Sequence, residues 1–304
     1  MASVAEQAGI RQVSEQGVAG RQTPSGRLRD RAQLNPYTRV LVRGARDLWS
    51  KLSNPTYRRE ESELARLRAL PPCVPTVTDL LGFPVELVDA PSFLAMYTDI
   101  FRLEHYRFRS QSPCPYIIDG GANIGLITLY FKKLYPGAKV IAFEPDPQIF
   151  GVLERNVHGN GFANVTLVRS ALWISKQKLR FTSDGSWWGR MSRGGDASDQ
   201  EVETVRLRDY LDRPVDLLKL DIEGAEAEVL HDCGDALARV RNLFVEYHSF
   251  AGERQKISGL LQLLSSAGFR LYFTAPDSSP QPLIERRVEH EIDAALNIFA
   301  VRET

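Results

Sequence analysis

The stretch YIIDGGANIGLITLYF, residues 116–131, decides the fold, because it joins a short apolar strand to an amphipathic helix through a glycine turn. A strand, a D-x-G-x-N-x-G turn and a helix are typical of the first unit of a doubly wound α/β sheet. Gly120 and Gly121 permit positive φ in the turn, and Gly125 lets the helix pack closely. Ligands of such sheets bind beyond the carboxyl ends of the strands, so this turn predicts a ligand site.

Seven apolar runs predict strands, and amphipathic helical patterns lie between most of them. The predicted strands are 117–119, 139–145, 164–173, 215–221, 242–248, 269–274 and 295–301, and the predicted helices are 124–134, 147–158, 225–240 and 255–267. Near-continuous Val, Ile and Leu strands that alternate with helices predict a doubly wound, mostly parallel sheet covered on both faces.

The polar stretch 183–200 predicts a long loop between two hairpin-like strands. Loops of this length often form lids or binding elements. Its pair Trp187 and Trp188 either stacks on a sugar ring or apolar substrate, or packs beneath the loop.

Composition divides the 304 residues into three parts. Residues 1–32 lack an apolar period and predict a flexible tail, residues 33–75 predict an N-terminal helical arm, and 76–304 predict the α/β domain. The arm is either a solvated element or a basic surface for a membrane or polyanionic partner. We find no signal peptide and no apolar run of about 18 residues, and the three cysteines lie far apart. We therefore expect a cytoplasmic protein without a transmembrane segment.

The glycine turn also indicates the cofactor. Its glycines do not have the G-x-G-x-x-G spacing of a dinucleotide site, and Asp119 before them would repel a pyrophosphate but attract an ammonium group. Glu144 closes the second strand, 19 residues after Gly125, close to the distance at which an acid reaches a ribose diol. Together these features predict S-adenosylmethionine. The alternative for Glu144 is that it caps the helix after Pro145.

Five segments resemble, in order and spacing, the FkbM-type S-adenosylmethionine-dependent methyltransferases. They are DGGANIG, AFEPDPQIFGVLERNVHGN, VETVRLRDYL, LLKLDIEGAEAEVL and LFVEYHSF, and the match runs from about residue 81 to 301. The resemblance implies a class I, Rossmann-like sheet of seven strands, with the seventh inserted antiparallel near the C-terminus. It also implies O-methylation of hydroxyl groups on natural products, sugars or glycans.

The resemblance further implies which residues contact the cofactor. Carried over in this way are Asp119, Gly121, Asn123, Gly125 and Glu144. Ser170 and Ala171, after the third strand, are placed near the adenine by their position in the fold. Asn156, in the helix after the second strand, is interpreted as structural.

Acidic residues follow the fourth predicted strand in LKLDIEGAEAE. Glu226 and Glu228 are interpreted as helix-capping residues, because carboxylates are stabilised in a first helical turn. Asp221 is placed to face both cofactor and substrate. Glu246 and His248, two residues apart on the next strand, share one face.

Two mechanisms are consistent with a catalytic set of Asp221, Glu246 and His248. In one, His248 or Asp221 removes the proton of a substrate hydroxyl. In the other, Asp221 and Glu246 hold Mg²⁺, which lowers the hydroxyl pKa. His248 is otherwise an ordinary histidine at a strand end.

Three rival functions are weighed against O-methylation. A nucleic-acid or other N-methyltransferase needs a basic face, whereas the chain beyond residue 70 has 31 acidic and 25 basic residues. An NAD-dependent oxidoreductase is disfavoured by the glycine spacing. A non-catalytic member of the fold would bind the cofactor alone. We expect an S-adenosylmethionine-dependent O-methyltransferase with a small-molecule or glycan acceptor and no nucleic-acid partner.

Overall fold

The computed structural model describes residues 53–183, 189–191, 200–275, 279, 281–285, 288 and 291–302. The predicted tail 1–32, the part of the predicted arm before residue 53, and the Trp187–Trp188 pair lie outside the described residues. A helix over Pro55–Arg68 forms the described part of the arm.

The described chain forms thirteen strands and six α-helices. The strands are β1 Thr76–Thr78, β2 Val85–Leu87, β3 Tyr116–Gly120, β4 Lys139–Phe143, β5 Val165–Val168, β6 Ala171–Trp173, β7 Lys178–Ser183, β8 Gly189–Met191, β9 Gln200–Arg206, β10 Val215–Leu220, β11 Val240–Phe250, β12 Arg270–Thr274 and β13 Ile292–Val301. The helices are α1 Pro55–Arg68, α2 Ala90–Tyr97, α3 Leu126–Leu134, α4 Pro147–His158, α5 Glu226–Cys233 and α6 Ile257–Ser266.

The main sheet has seven strands in the order β12-β13-β11-β10-β3-β4-β5. β13 is antiparallel to both of its neighbours, and the pairs from β11 to β5 are parallel. This confirms the predicted class I topology, including the antiparallel seventh strand. It also places β10 beside both β3 and β11, so the ends of these three strands meet at one edge of the sheet.

Both faces of the sheet are covered, as the continuous apolar strands predict. Ile117 and Ile118 are neighbours on β3 and point to opposite faces. Ile117 packs into a core that includes Leu129 of α3 and Leu153 of α4. Ile118 packs into the core on the other face with residues of α5 and α6, among them Leu230.

One predicted strand is wrong in its extent. Residues 164–173 form two strands, because the chain turns at Ser170, whose N–H donates to the carbonyl oxygen of Val168 at 3.0 Å. Bonds between residues i and i+2 define γ-turns, which are common at strand ends. β5 therefore stays in the main sheet, whereas β6 belongs to a second sheet in the order β6-β9-β7-β8. In that second sheet β7 and β9 are antiparallel, which confirms the hairpin-like pair around 183–200.

Candidate active site

The glycine turn between β3 and α3 is held by main-chain bonds to the end of β4. The N–H groups of Gly121 and Ala122 donate to the carbonyl oxygen of Phe143 at 3.1 and 2.8 Å. Gly121 has a φ of +76°, and a Cβ there would lie 1.8 Å from the carbonyl oxygen of Asp221. Asn123 also has a positive φ, +49°, a conformation that asparagine tolerates better than most residues. The turn therefore requires both residue types where the sequence has them.

Gly125 packs against a neighbouring helix. Its φ is +95°, and a Cβ there would lie 2.7 Å from Leu153 Cδ1 of α4. Gly125 is absent from the residues that line the cavity described below. The missing side chain of Gly125 thus makes room for α4, and its contact with the cofactor stays a prediction.

Asp119 is fully buried beneath the turn. Its Oδ2 accepts a hydrogen bond from the Thr128 hydroxyl at 2.7 Å, and its Oδ1 lies 3.7 Å from the Lys219 ammonium. Burial raises the pKa of Asp119, against the lowering by Lys219 and Thr128. Asp119 does not line the cavity, its Oδ1 has no hydrogen-bond partner among the described residues, and its contact with a cofactor ammonium stays a prediction.

Lys219 on β10 is the buried cation of the site. Its side chain is 1% exposed and lies 3.3 Å from Asp221 Oδ2. The ammonium donates to the carbonyl oxygens of Gly120 at 3.0 Å and Gly121 at 2.6 Å. Burial opposes the charge, but Asp221 and Asp119 raise the pKa of Lys219 above its ordinary value. Lys219 therefore stays protonated and ties the turn to the acidic end of β10.

A cavity of about 500 Å³ opens beside the turn, within the size range of small-molecule sites. Eight of the predicted site residues line it: Gly121, Asn123, Glu144, Ser170, Ala171, Asp221, Glu246 and His248. One further wall comes from α2 and the π-helical turn Thr98–Arg102 that follows it, including Met96 and Ile100. Sequence reasoning missed this wall, since residues 91–100 carry no site motif.

Glu144 is buried at the end of β4 and faces the cavity. Its Oε2 accepts the Asn123 N–H and its Oε1 accepts the Asp146 N–H, each at 2.9 Å. Burial raises the pKa of Glu144 to about 7, although both N–H bonds lower it. The N-cap of α4 is Asp146, whose side chain accepts from Gln148 and Ile149. The alternative that Glu144 caps this helix is therefore wrong.

The acidic cluster predicted at the ends of β10 and β11 is present. These strands are parallel neighbours, and Leu220 pairs with Val245. Asp221, Glu223 and His248 bring potential ligand atoms within 4.8 Å of one another. Glu246 lines the cavity but is not a member of that group. Of the predicted Mg²⁺ pair, Asp221 belongs to this group and Glu246 does not, and the Mg²⁺ site stays a prediction.

His248 lies between two glutamates. Its Nδ1 is 3.2 Å from Glu226 Oε1, and its Nε2 is 3.5 Å from Glu223 Oε2. Burial lowers the pKa of His248, but Glu226, Glu223 and Asp221 together raise it well above its ordinary value. The ring is therefore held as an imidazolium, which cannot accept a proton at neutral pH.

Glu246 is the carboxylate with the fewest partners in this cluster. Within the described part of the chain it makes no hydrogen bond or ion pair, and it faces the cavity. Burial and the Asp221 charge raise the pKa of Glu246 to about 7. Burial likewise raises the pKa of Glu223 to about 8, although the His248 charge opposes it. Glu246 is thus accessible and poised to exchange a proton near neutral pH.

Sequence reasoning missed three residues of this site. Lys219 is the single cation inside the apolar run VDLLKL, which could have indicated a buried charge. The sequence interpretation of Glu226 is a helix cap. Tyr106 lines the cavity and packs edge-on against Phe244 at 4.7 Å between ring centroids. Burial and the charges of Asp221 and Glu246 raise the pKa of Tyr106 well above its ordinary value. No sequence signal identified Tyr106.

The cavity fits S-adenosylmethionine in charge and in hydrogen bonding. Six carboxylate residues line it, against Lys219 and His248 as the cations, which suits a ligand with a sulfonium and an ammonium group. Each Glu144 oxygen accepts one N–H, which leaves each oxygen a lone pair for a ribose hydroxyl. Among the described residues, no helix combines the length and apolar character that crossing a membrane requires.

The seven-stranded sheet and its cavity define a class I methyltransferase, whose methyl donor is S-adenosylmethionine. The family described as the methyltransferase FkbM domain matches residues 119–271. Methyltransferase sdnD from Sordaria araneosa is 33% identical over 205 residues, which cover 55% of this chain and 79% of that protein. The chain belongs to the FkbM methyltransferase family.

Two further relatives carry an oxygen position in their names. The 31-O-demethyl-FK506 methyltransferase FkbM from Streptomyces tacrolimicus is 28% identical over 219 residues, which cover 60% of this chain and 84% of that protein. The 2-O-methyltransferase NoeI from Sinorhizobium fredii (strain NBRC 101917 / NGR234) is 26% identical over 159 residues, which cover 45% of this chain and 65% of that protein.

Proposed function

We propose that this chain transfers the methyl group of S-adenosylmethionine to a hydroxyl group of a small-molecule or glycan acceptor. The observation that carries the proposal is the Glu246 carboxylate, which faces the cavity without a partner among the described residues. Oxygen as the acceptor atom is supported by the two relatives named for O-methylation.

The donor side of the cavity would be formed by the turn after β3 and the ends of β4 and β5. S-adenosylmethionine, when bound, supplies an activated methyl group on a sulfonium. Gly121 and Asn123 would form the main-chain wall for its amino-acid end, and Glu144 would accept the ribose hydroxyls. Ser170 and Ala171 line the cavity farther along the sheet edge, where the adenine is proposed to lie.

On the acceptor side, Glu246 takes the role of general base. An alcohol is a poor nucleophile until its proton leaves, and a base works best when its pKa lies near the working pH. Glu246 meets this condition, with a pKa of about 7. Asp221 is engaged by Lys219, and His248 is already protonated. We propose that Asp221 and His248 position the acceptor molecule, and that Glu246 takes the proton of its hydroxyl group.

The carboxylates that line the cavity also disfavour a negatively charged acceptor. Phosphate groups would meet Asp99, Glu223 and Glu246 at the cavity wall, which is unfavourable at short range. We therefore propose an acceptor without phosphate near its reacting hydroxyl, which excludes nucleic acid.

The test is a binding measurement followed by a transfer assay with the full chain. Calorimetry should show binding of S-adenosylmethionine and none of NAD. A panel of polyketide, sugar and glycan alcohols with methyl-labelled donor should then yield an O-methyl product. Glu246→Gln should remove transfer and keep donor binding. Donor binding without transfer to any alcohol, or transfer to nitrogen, would refute the O-methylation proposal.

The same assay distinguishes general-base catalysis by Glu246 from a metal-assisted mechanism. We propose that Glu246 acts without an essential cation, so protein dialysed against EDTA should keep its activity. If activity disappears with EDTA and returns with Mg²⁺, a metal-assisted route is correct instead.

A further inference from the structure

The Glu226 carboxylate connects the turn after β10 with the histidine on β11. It is buried, with 1% of its side chain exposed. Its Oε1 accepts from the Ile222 N–H at 3.1 Å and from the Gly224 N–H at 3.0 Å. The same oxygen lies 3.2 Å from His248 Nδ1. Three donors from two separate segments therefore converge on one side chain.

The turn that Glu226 holds has a backbone conformation that needs support. Glu223 has a φ of +54° and the following Gly224 a φ of +103°. A non-glycine residue with positive φ is uncommon and persists where the surrounding structure enforces it. Glu226 accepts the N–H on each side of Glu223, so it fixes the conformation of that residue from both directions. Position 224 accepts only glycine without rearrangement, because a Cβ there would lie 2.4 Å from the Phe250 ring.

This conformation directs the Glu223 side chain towards His248. Its Oε2 is buried, has no hydrogen-bond partner among the described residues, and lies 3.5 Å from His248 Nε2. Both side chains line the cavity, whereas Glu226 does not. Glu226 therefore lies behind Glu223 and His248, which face the acceptor end of the cavity.

Helix capping does not account for this geometry. A capping carboxylate accepts N–H groups from the first turn of its own helix, or in a capping box the N–H of the N-cap residue, which is Ala225 here. Glu226 is the first residue of α5, and the N–H groups that it accepts belong to Ile222 and Gly224, before the helix begins. Glu228 in the same turn instead forms an ion pair with Lys256. The helix dipole favours both acids, but only Glu226 reaches His248.

We propose that Glu226 is a positioning residue for the transfer reaction, which holds the His248 ring and the Glu223 turn in place against the acceptor end of the cavity. The inference rests on the proposed function. Glu226 does not touch the acceptor or the donor in this arrangement, and it acts through the two groups that line the cavity. The central feature is a hydrogen bond in which His248 Nδ1–H donates to Glu226.

The test uses full-length protein with ¹⁵N-labelled histidine, saturated with S-adenosylmethionine. The His248 ring signals are assigned by their loss in His248→Gln. In the parent protein, the Nδ1 proton should be observed and protected from solvent exchange. In Glu226→Gln, that protection should fall at least tenfold, because a carboxylate is a stronger acceptor than an amide. Glu228→Gln, the matched change in the same helical turn, should leave the signal unchanged.

The affinity for the donor distinguishes a loss of His248 positioning from a general loss of structure in Glu226→Gln. The Kd for S-adenosylmethionine in Glu226→Gln should stay within about twofold of the parent value, because Glu226 bonds to Ile222, Gly224 and His248 and to none of the residues proposed to hold the donor. An exposed or rapidly exchanging Nδ1 proton in the parent protein overturns the inference even if Glu226→Gln fails to fold. Unchanged protection in Glu226→Gln, or a joint loss of protection and donor binding, overturns it as well. Failure of the parent protein to bind the donor would instead refute the proposed function.

Discussion

Lys219 and Asp221 form an ion pair, 3.3 Å from Nζ to Oδ2, at the point where the glycine turn meets the acidic cluster. The Lys219 side chain is buried, and the Asp221 side chain is 26% exposed. The same ammonium binds the carbonyl oxygens of Gly120 and Gly121 and lies near Asp119. One cation thus stabilises two carboxylates and the main chain of the turn. The shape of the donor side is therefore coupled to the charge of the acceptor side.

Replacing Lys219 by methionine should destabilise the fold and weaken donor binding. Removing one partner of a buried ion pair leaves an uncompensated charge and costs about 3–5 kcal/mol. We expect the free energy of unfolding to fall by about that amount. The Kd for S-adenosylmethionine should rise at least tenfold. Urea denaturation and calorimetry measure the two effects.

Lys132 offers a matched control for this substitution. It is also buried, with 3% exposure, and donates to the carbonyl oxygens of Pro136 and Ala138 at 2.7 Å. It has no carboxylate partner among the described residues. Lys132→Met should cost about 1–3 kcal/mol, the penalty for unsatisfied polar groups, and leave donor affinity intact. An equal loss of stability in both variants would contradict the role assigned to the carboxylates of Lys219.

The sequence predicts the sheet and the cavity-lining motifs better than it predicts the partners of buried charges. The strand positions follow from local apolar patterns, the sheet topology follows from the family resemblance, and Glu144 follows from a fixed distance after the glycines. An acid beside a glycine turn resembles a ligand contact, so the sequence predicts that Asp119 contacts the cofactor. The nearby Lys219 ammonium lies 100 residues farther along the chain, and no local pattern joins it to Asp119.

Glu226 shows the same limit in the acidic cluster. A glutamate at the start of a helix has a sufficient local explanation in the helix dipole. Its bond to His248 depends on β10 and β11 being neighbours and on the positive φ of Glu223. Topology can be inferred from the sequence, but this backbone conformation cannot. The wall formed by α2 was missed for a related reason, since apolar residues such as Met96 and Ile100 also suit an ordinary core.

Binding of a ribose ligand should depend on pH through Glu144. Burial raises the pKa of this carboxyl to about 7 in the free protein, and only the ionised form presents both oxygens as acceptors. The affinity should therefore rise with pH by up to about tenfold per unit below pH 7, and level off above it. Methylthioadenosine is the probe, because it keeps the ribose and lacks the amino-acid end.

The Glu144→Gln variant isolates this effect from the other acids of the cavity. It should bind methylthioadenosine more weakly at pH 8, by about tenfold, because a charged acceptor forms the stronger hydrogen bond. Its affinity should also change little between pH 6 and 8. A pH profile in Glu144→Gln that matches the parent profile would assign the titration to another group.

Replacing Glu246 by glutamine should reduce kcat far more than it weakens donor binding. Loss of a general base typically lowers the rate by about 10²–10⁴-fold. Glutamine keeps the size of the side chain but cannot accept the proton. Transfer kinetics with the acceptor found in the panel assay measure kcat, and calorimetry measures the Kd for the donor.

Glu154, an exposed residue of α4, provides the control for the Glu246 substitution. Glu154→Gln should behave as the parent protein in both measurements. If Glu246→Gln retains more than about a tenth of the parent kcat, another group removes the proton, and the assignment of Glu246 fails.

The excess of carboxylates should make the cavity bind the charged donor more tightly than the neutral product. S-adenosylmethionine carries a sulfonium, whereas S-adenosylhomocysteine carries an uncharged thioether in the same place. Glu223 and Glu246 line the cavity, and at an effective dielectric of about 20 such charges contribute on the order of 1–2 kcal/mol to the difference. We expect the parent protein to prefer the donor by about tenfold at pH 8.

In the Glu223→Gln, Glu246→Gln double variant the two ligands should bind almost equally, as measured by calorimetry on each. A preference that survives in the double variant would show that these carboxylates do not act on the sulfonium and that the donor's reacting end lies farther from them than proposed.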